Sequence, residues 1–419
     1  MAEVDVVIVG AGCAGLAAAR FLKDAGLSFQ IIESKNRIGG RAYTDRDTFT
    51  VPFDHGCAWM SGGPYNPLVQ FAEENGFECT PRFFPYLEDR TFVGSIENRW
   101  VGGEEAAERD AYLENCERAI LAAGKKGRDA PLAEVIDTTS IWASHFDNYL
   151  SAVQGGTLHQ CSTVDFASTL ALGDELHLFD GYGTLIEKLG EGLPVQLNTI
   201  ATRIDWRGEG VVISTSKGPI SCKMAVITVS TGVLASDRIS FDPGLPERTR
   251  AAISGLPMGR LTKVAIQFDQ KVFGSFVEDV LIYYDGPGTS LNIVTGYADS
   301  TMAVAYVGGA AADELEALGA DGAVAFFVER LTKVFGPKLE EHVVAADTTK
   351  WGSDPDVGGS YAIQLPGHAG ARETLAEPIA NRLFLAGEAT SKHHFGYAHG
   401  AFIEGQAAAE KIVALLDVP

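Results

Sequence analysis

The fold is decided by residues 4–33. They begin Val4-Asp5-Val6-Val7-Ile8-Val9, continue Gly10-Ala11-Gly12-Cys13-Ala14-Gly15, and run on through Leu16-Ala17-Ala18-Ala19-Arg20-Phe21-Leu22 to Ser28-Phe29-Gln30-Ile31-Ile32-Glu33. The opening run is β-branched and almost wholly apolar, as a parallel strand buried on both faces requires. A G-x-G-x-x-G turn, a strong helical run, a second strand and an acid follow in order. Gly10 permits the tight turn, and Gly12 lets backbone approach a pyrophosphate. Gly15 allows close helix–strand packing, and the helix N-terminus at Ala14 attracts phosphates. Glu33, about 20 residues on, suits ribose hydroxyls and disfavours a 2′-phosphate. The stretch predicts a dinucleotide-binding unit and leaves NAD and FAD open.

The rest of the chain sets the frame. Its 419 residues exceed what one core supports, and about 150 residues per domain gives two or three domains. Apolar residues at 46% and charged residues at 21% exclude a disordered or collagenous chain. Basic side chains number 33 against 55 acidic, a net charge of −22. That field repels phosphate backbones and anionic membranes, so neither nucleic acid nor membrane is an expected partner. It mildly favours a cationic small molecule. Six cysteines without C-x-x-C spacing fit a reduced, cytoplasmic chain. Glu3 and Asp5 stand where a signal peptide carries Lys or Arg. Glycines break Val6–Leu22, and no other stretch reaches spanning length.

After Glu33 the chain reads Arg37-Ile38-Gly39-Gly40-Arg41-Ala42-Tyr43-Thr44. This resembles the R-x-G-G-R-x-x-[ST] segment of two-dinucleotide-fold flavoproteins, specifically the flavin amine oxidase superfamily. Asp54-His55-Gly56-Cys57-Ala58-Trp59 resembles its D-x-G-x-x-W segment, which runs beside the flavin. Asp180-Gly181-Tyr182-Gly183-Thr184-Leu185 resembles its G-G-x-x-x-L helix start, with Asp180 in place of the first glycine. Leu197–Ile204 resembles the strand facing the adenine, with Ala201 at the contact position. Ala225–Leu234, containing Ser230, resembles the strand and turn beside the cofactor. Arg382–Thr390 resembles the final motif, with Gly387 and Glu388 on the ribityl or pyrophosphate side. Arg41 would neutralise phosphate, supported by Arg37.

The resemblance implies FAD as cofactor and oxidation of an amine. Hydride would pass from the α-carbon to flavin N5, the imine would hydrolyse, and dioxygen would become hydrogen peroxide. Lys263, opening the apolar strand Lys263–Phe268, matches the lysine that bonds a water near N5. Trp351 matches a tryptophan packed beside the flavin. Ser360 stands where monoamine oxidases have a cysteine bonded to FAD, so the cofactor is expected to be non-covalent. Tyr361 and Tyr397 match two walls of an aromatic cage, whose faces attract polarised nitrogen. Ala398, His399 and Ala401 open a helix running from about Gly400 to Leu416, whose positive N-terminus would face the reduced flavin. His393, His394 and His399 fit no zinc spacing, so no metal is expected.

The implied fold class is α/β. A Rossmann-like FAD-binding domain at 1–75, 180–255 and 370–419 interleaves with a mixed-sheet and helical substrate domain at 76–179 and 256–369. Helices are expected over Ala106–Ala123, Leu132–Leu150 and Ala311–Phe335, the last interrupted at Gly319–Gly322. Strands of one sheet are expected at Lys263–Phe268, Val280–Tyr284, Leu291–Thr295 and Met302–Val307. Phe83, Phe84, Tyr86 and Phe166–Phe179 are candidates for the outer cavity. The alternative is another oxidoreductase of the same superfamily: an L-amino-acid oxidase, which needs an arginine for the substrate carboxylate such as Arg82 or Arg90, or a carbon–carbon desaturase, against which the aromatic pair argues. A non-catalytic FAD-binding regulator is disfavoured by the intact tyrosine pair and Lys263. A homodimer is a compatible assembly.

Overall fold

The strand Val4–Val9 lies between two parallel neighbours, Phe29–Ile32 and Gly218–Ile227. The computed structural model describes residues 4–61, 66–82, 91–93, 99–169, 175–274, 279–284 and 290–417. Val6 to Val9 are buried, which accounts for their apolar character on both faces. Eight strands form this sheet. Their order is 195–196, 29–32, 4–9, 218–227, 211–215, 201–205 and 240–242, with Leu383–Leu385 pairing outside that path. Gly218–Ile227 serves two roles. Its first half makes an antiparallel hairpin with Val211–Thr215, and its last residues lie parallel to both Val4–Val9 and Leu383–Leu385.

The register aligns the carboxyl ends of the parallel strands. Val9 stands opposite Ile32 and Ile227, and Ile227 opposite Leu385. Ligands bind outside such an edge in open parallel sheets. Two helices start there, Cys13–Asp24 and Ala398–Leu415. They cross so closely that a Cβ on Gly405 would strike the backbone of Ala14. Leu16, Leu22, Ile186, Ala409 and Ile412 share one buried cluster with Val6 and Ile8. Each large apolar side chain there contributes about 1.5–3 kcal/mol.

A second sheet has seven strands, ordered 343–348, 261–268, 302–308, 290–295, 279–284, 91–93 and 99–100. All pairs are antiparallel except Asp279–Tyr284 with Thr91–Val93. The helix Gly319–Phe335 packs Phe327 and Leu331 onto it. The four strands expected from sequence fall in this sheet. Val343–Thr348 and the short strands at 91–100 carried no clear alternation and were not anticipated. No helix among the described residues is long and apolar enough to cross a membrane.

One expected helix is corrected. Leu132–Leu150 is a single turn, Leu132–Glu134, then loop, then a helix Ala143–Gln154. Asp137 accepts from the N–H and hydroxyl of Thr139, and Ser140 Oγ accepts from Trp142 N. These local bonds give the backbone an alternative to the helix. The helix expected at Ala311–Phe335 is broken more narrowly than anticipated, at Leu318 and Gly319, where Gly319 takes φ +73°. Phe83, Phe84, Tyr86, Arg90 and part of Phe166–Phe179 lie outside the described residues, as does the side chain of Arg82.

Candidate active site

A long groove opens at the shared carboxyl edge of the parallel strands. Its atom-free space is about 1510 Å³ including the open mouth. One end is walled by glycine and backbone. Gly10 takes φ +106°, and a Cβ there would meet Thr228 Oγ1 at 2.6 Å. Gly12 caps the helix Cys13–Asp24 without any side-chain acceptor, so the first-turn N–H groups stay available at the groove wall. Glu33 is buried, accepts from Ala11 N at 2.8 Å and Lys35 N at 2.9 Å, and so braces the glycine turn. Arg37 donates to Ile38 O and Gly40 O and lies over the Tyr43 ring at 4.3 Å. It supports the glycine pair from behind.

The other end is built from side chains. Lys263 is 3% exposed, and its Nζ donates to Asp54 O at 2.7 Å and Gly56 O at 2.6 Å. The Tyr306 ring lies 5.3 Å from the ammonium. Burial lowers the Lys263 pKa to about 8, against the opposing pull of Asp54. Trp351 Nε1 donates to His55 O at 2.9 Å. Three consecutive carbonyls, at residues 54, 55 and 56, thus hold the lysine and the tryptophan. The Asp54 side chain faces the other way. It accepts from Tyr182 N and Gly183 N, capping the helix Tyr182–Leu189, and burial raises its pKa.

Tyr361 and Tyr397 both line this end. The Tyr361 hydroxyl donates to Ala152 O at 2.8 Å. A Cβ on Gly155 would lie 2.8 Å from the Tyr361 ring, so the ring needs the glycine. Tyr397 precedes the helix Ala398–Leu415, and its ring lies 5.2 Å from that of His399. Burial raises the pKa of both tyrosines, so both are neutral phenols at working pH. Burial also lowers the His399 pKa to about 4. The carboxylate of Glu388 binds Arg41 at 2.8 Å.

The groove brings together Gly10, Gly12, Ala14, Glu33, Gly40, Arg41, Gly56, Cys57, Ala201, Ser230, Lys263, Trp351, Ser360, Tyr361, Gly387, Glu388, Tyr397, Ala398 and Ala401. Gly15, Arg37, Ala58, Trp59 and His399 lie off its lining. A Cβ on Gly15 would strike Gly10 O, which places that glycine in helix packing. Trp59 packs against His177 and Tyr297. Arg238, Thr199 and Thr228 also line the groove and were not singled out from sequence. Thr199 and Thr228 sit in loops after strands, and Arg238 in the turn between the helix Thr231–Ala235 and the strand Ser240–Asp242, so position in the fold is the only signal. His55 approaches Asp347 at 3.1 Å and Asp45 at 3.9 Å, a cross-link that spacing along the chain does not reveal.

The groove fits a dinucleotide carrying a ring system. Two helix N-termini without side-chain caps reach it. Ser360 Oγ is buried at its lining with no hydrogen-bond partner among the described residues. A hydroxyl there cannot form a thioether to a flavin. The fold and groove define a dinucleotide-binding α/β protein with a second, largely antiparallel sheet.

Residues 13–413 match the sequence profile described as "Flavin containing amine oxidoreductase", and the chain belongs to that family. It is 30% identical to polyamine oxidase 4 of Oryza sativa subsp. japonica, over 97% of this chain and 88% of that protein. It is 27% identical to lysine-specific histone demethylase 2 of Homo sapiens, over 98% of this chain but 53% of that protein. Among solved structures it is similar to cyclohexylamine oxidase from Brevibacterium oxydans IH-35A, with a TM-score of 0.81 and 22% identity, covering 99% and 100% of the two chains. A putrescine oxidase bound to putrescine superposes with a TM-score of 0.78 at 24% identity, covering 99% of each chain. The protein is a flavin-dependent amine oxidase, and its cofactor is non-covalent FAD.

Proposed function

We propose that the chain oxidises a small-molecule amine held as the neutral base between Tyr361 and Tyr397. The reading is supported by one observation: both tyrosines and Lys263 line the same groove as the glycine turn at Gly10 and Gly12. When bound, FAD supplies a two-electron acceptor for the hydride of the carbon bearing nitrogen, with dioxygen as the final oxidant. The tyrosine faces orient the nitrogen. Lys263 has three N–H donors and spends two on the carbonyls of Asp54 and Gly56. Its third is available to hold a water. Gly10, Gly12, Gly40 and Arg41 would hold the pyrophosphate, Glu33 the ribose, and the N-terminus at Ala398 the flavin's electron-rich edge. The imine released hydrolyses to an aldehyde or ketone. The division into an FAD-binding part at 1–75, 180–255 and 370–419 and a substrate part at 76–179 and 256–369 is part of this proposal. It is supported by the two sheets drawing their strands from those respective stretches.

Anaerobic mixing with a panel of primary, secondary and polyamines tests the reading. The yellow flavin should bleach with at least one amine, and the peroxide released on re-aeration should equal the amine consumed. The bleaching rate should rise with pH as the amine loses its proton. A flavin that no amine bleaches, or a rate flat across the amine pKa, would sink the proposal.

A further inference from the structure

Both tyrosine walls and the groove-side arginine share one carboxylate. Glu388 is 5% exposed. Its Oε1 accepts from Arg41 Nη1 at 2.8 Å and from Ala362 N at 3.1 Å. Its Oε2 accepts from Gly396 N at 3.1 Å and, more weakly, from Ala362 N at 3.4 Å. Arg41 Nη1 also donates to Ser360 O at 2.8 Å.

These bonds bracket Tyr361. The carbonyl of the residue before it is held by the guanidinium, and the N–H of the residue after it by the carboxylate. One ion pair thus grips the peptide on each side of the same side chain. The other carboxylate oxygen takes the N–H of Gly396, the residue before Tyr397. Gly396 turns with φ +77°, and a Cβ on it would lie 3.8 Å from the Tyr361 ring. Bonds between Gly259 and residues 360–361 tie the first turn to the segment leading into the substrate sheet. Glu388 ties that turn to the second.

We infer that Glu388, paired with Arg41, is the positioning residue that sets the separation of the Tyr361 and Tyr397 rings, so that the amine cage is assembled on the loop that also faces the cofactor. The inference rests on reading the two tyrosines as the substrate walls. The chemistry of the partners makes it specific. An ionised carboxylate only accepts, and every partner here donates. An amide in its place must turn its NH2 toward an N–H donor whichever way it flips. A buried donor is then left unsatisfied, and the turns separate.

The test uses the FAD-bearing protein labelled with 3-fluorotyrosine. Fluorine resonances of Tyr361 and Tyr397 are assigned with Tyr361→Phe and Tyr397→Phe. Glu388→Gln should move both resonances and leave that of Tyr112, whose hydroxyl donates to Asp137 O on the helix-and-loop side, in place. The KM of the best amine should rise about tenfold or more, the loss of a hydrogen bond to a charged group. Glu388→Asp keeps the charge and loses one methylene, so its resonance changes and KM should fall between. Arg41→Lys retains the charge but not the double donation, and should move the Tyr361 resonance alone. Glu388→Asp, which should move both resonances, decides the matter if Glu388→Gln does not fold. Unmoved resonances in folded Glu388→Gln, or movement of only one, overturn the shared role. If the wild type oxidises no amine while both resonances move, the functional reading fails and the positioning role stands. If the wild type oxidises amines while neither resonance moves, the positioning role alone fails.

Discussion

The two ends of the groove are specified by opposite means. At the dinucleotide end the structure depends on side chains that are missing. Gly10, Gly12 and Gly15 each sit where backbone, not a side chain, forms the surface or the packing contact. At the amine end the structure depends on side chains that reach backbone. Lys263, Trp351 and Tyr361 each donate to a main-chain carbonyl far away in sequence. An end made of absences is general: backbone and a helix N-terminus suit a pyrophosphate whichever ring system follows it. An end made of long side chains can change chemistry while the backbone stays fixed.

The two regimes meet at Gly56, and the largest expected effect lies there. A Cβ on Gly56 would collide with the Arg41 carbonyl, and it would also meet the Trp351 ring at 3.5 Å. The same residue's carbonyl holds Lys263. Gly56→Ala should cost more than ~3 kcal/mol, above ordinary overpacking, because backbone rather than a side chain must move. Colourless or insoluble protein is the expected outcome. A yellow Gly56→Ala protein with normal melting would break the contrast between the two ends.

Lys263→Met comes next and isolates the amine end. The apolar chain keeps the volume but leaves the carbonyls of Asp54 and Gly56 without that donor, at a cost of about 1–3 kcal/mol, which a native stability of roughly 5–15 kcal/mol absorbs. FAD content should therefore persist, while the rate of anaerobic flavin reduction falls by about 10²-fold. The pH profile sharpens this. Lys263 titrates at about 8, so wild-type rates should show an inflection there in addition to that of the amine. The variant should keep only the amine's inflection.

The same division explains what could be read from sequence. Val4–Glu33 was legible because a glycine's role is local: its spacing along the chain states where backbone must come close. Arg37 and Arg41 were legible as a motif, but their partners were not. Arg37 braces its own loop, and Arg41 binds Glu388, 347 residues away. The carbonyls of residues 54–56 carry no signal, since every residue has one. The break at Asp137–Ser140 was hidden because the apolar spacing of a helix continued across it, while the short polar side chains satisfied the backbone locally. Arg238 reaches the groove from a loop whose sequence says nothing about it.

A smaller effect separates the amine end from the sheet behind it. His145 is 1% exposed, and both ring nitrogens lack hydrogen-bond partners among the described residues. Burial, aided by Arg109, lowers its pKa from 6.5 to about 3. Between those values the unfolded chain binds a proton that the folded chain does not. The stability is therefore full above pH 6.5 and is lost as pH falls toward 3, by ~1.4 kcal/mol for each pH unit at most. His399, lowered to about 4, adds a loss in the same direction. His145→Phe should flatten the acid limb of the melting temperature while leaving amine KM unchanged, since His145 packs on Trp142 and Tyr284 rather than on the groove. An acid limb as steep as the wild type's would mean that other groups govern it.

The smallest effect divides one side chain into its two functions. Tyr361 lines the groove and donates its hydroxyl to Ala152 O. Tyr361→Phe removes the hydroxyl alone. The carbonyl of Ala152 loses its donor, at a cost of about 1 kcal/mol in stability. The ring remains wedged against Gly155, whose missing Cβ makes the space for it. If the face does the work, amine KM should change less than about threefold, a difference of under 1 kcal/mol. Tyr361→Ala, which removes the wall, should raise KM far more. A large KM effect from the phenylalanine variant would show that the hydroxyl aims the ring, and that the amine end depends on its backbone anchors as strictly as the dinucleotide end depends on its glycines.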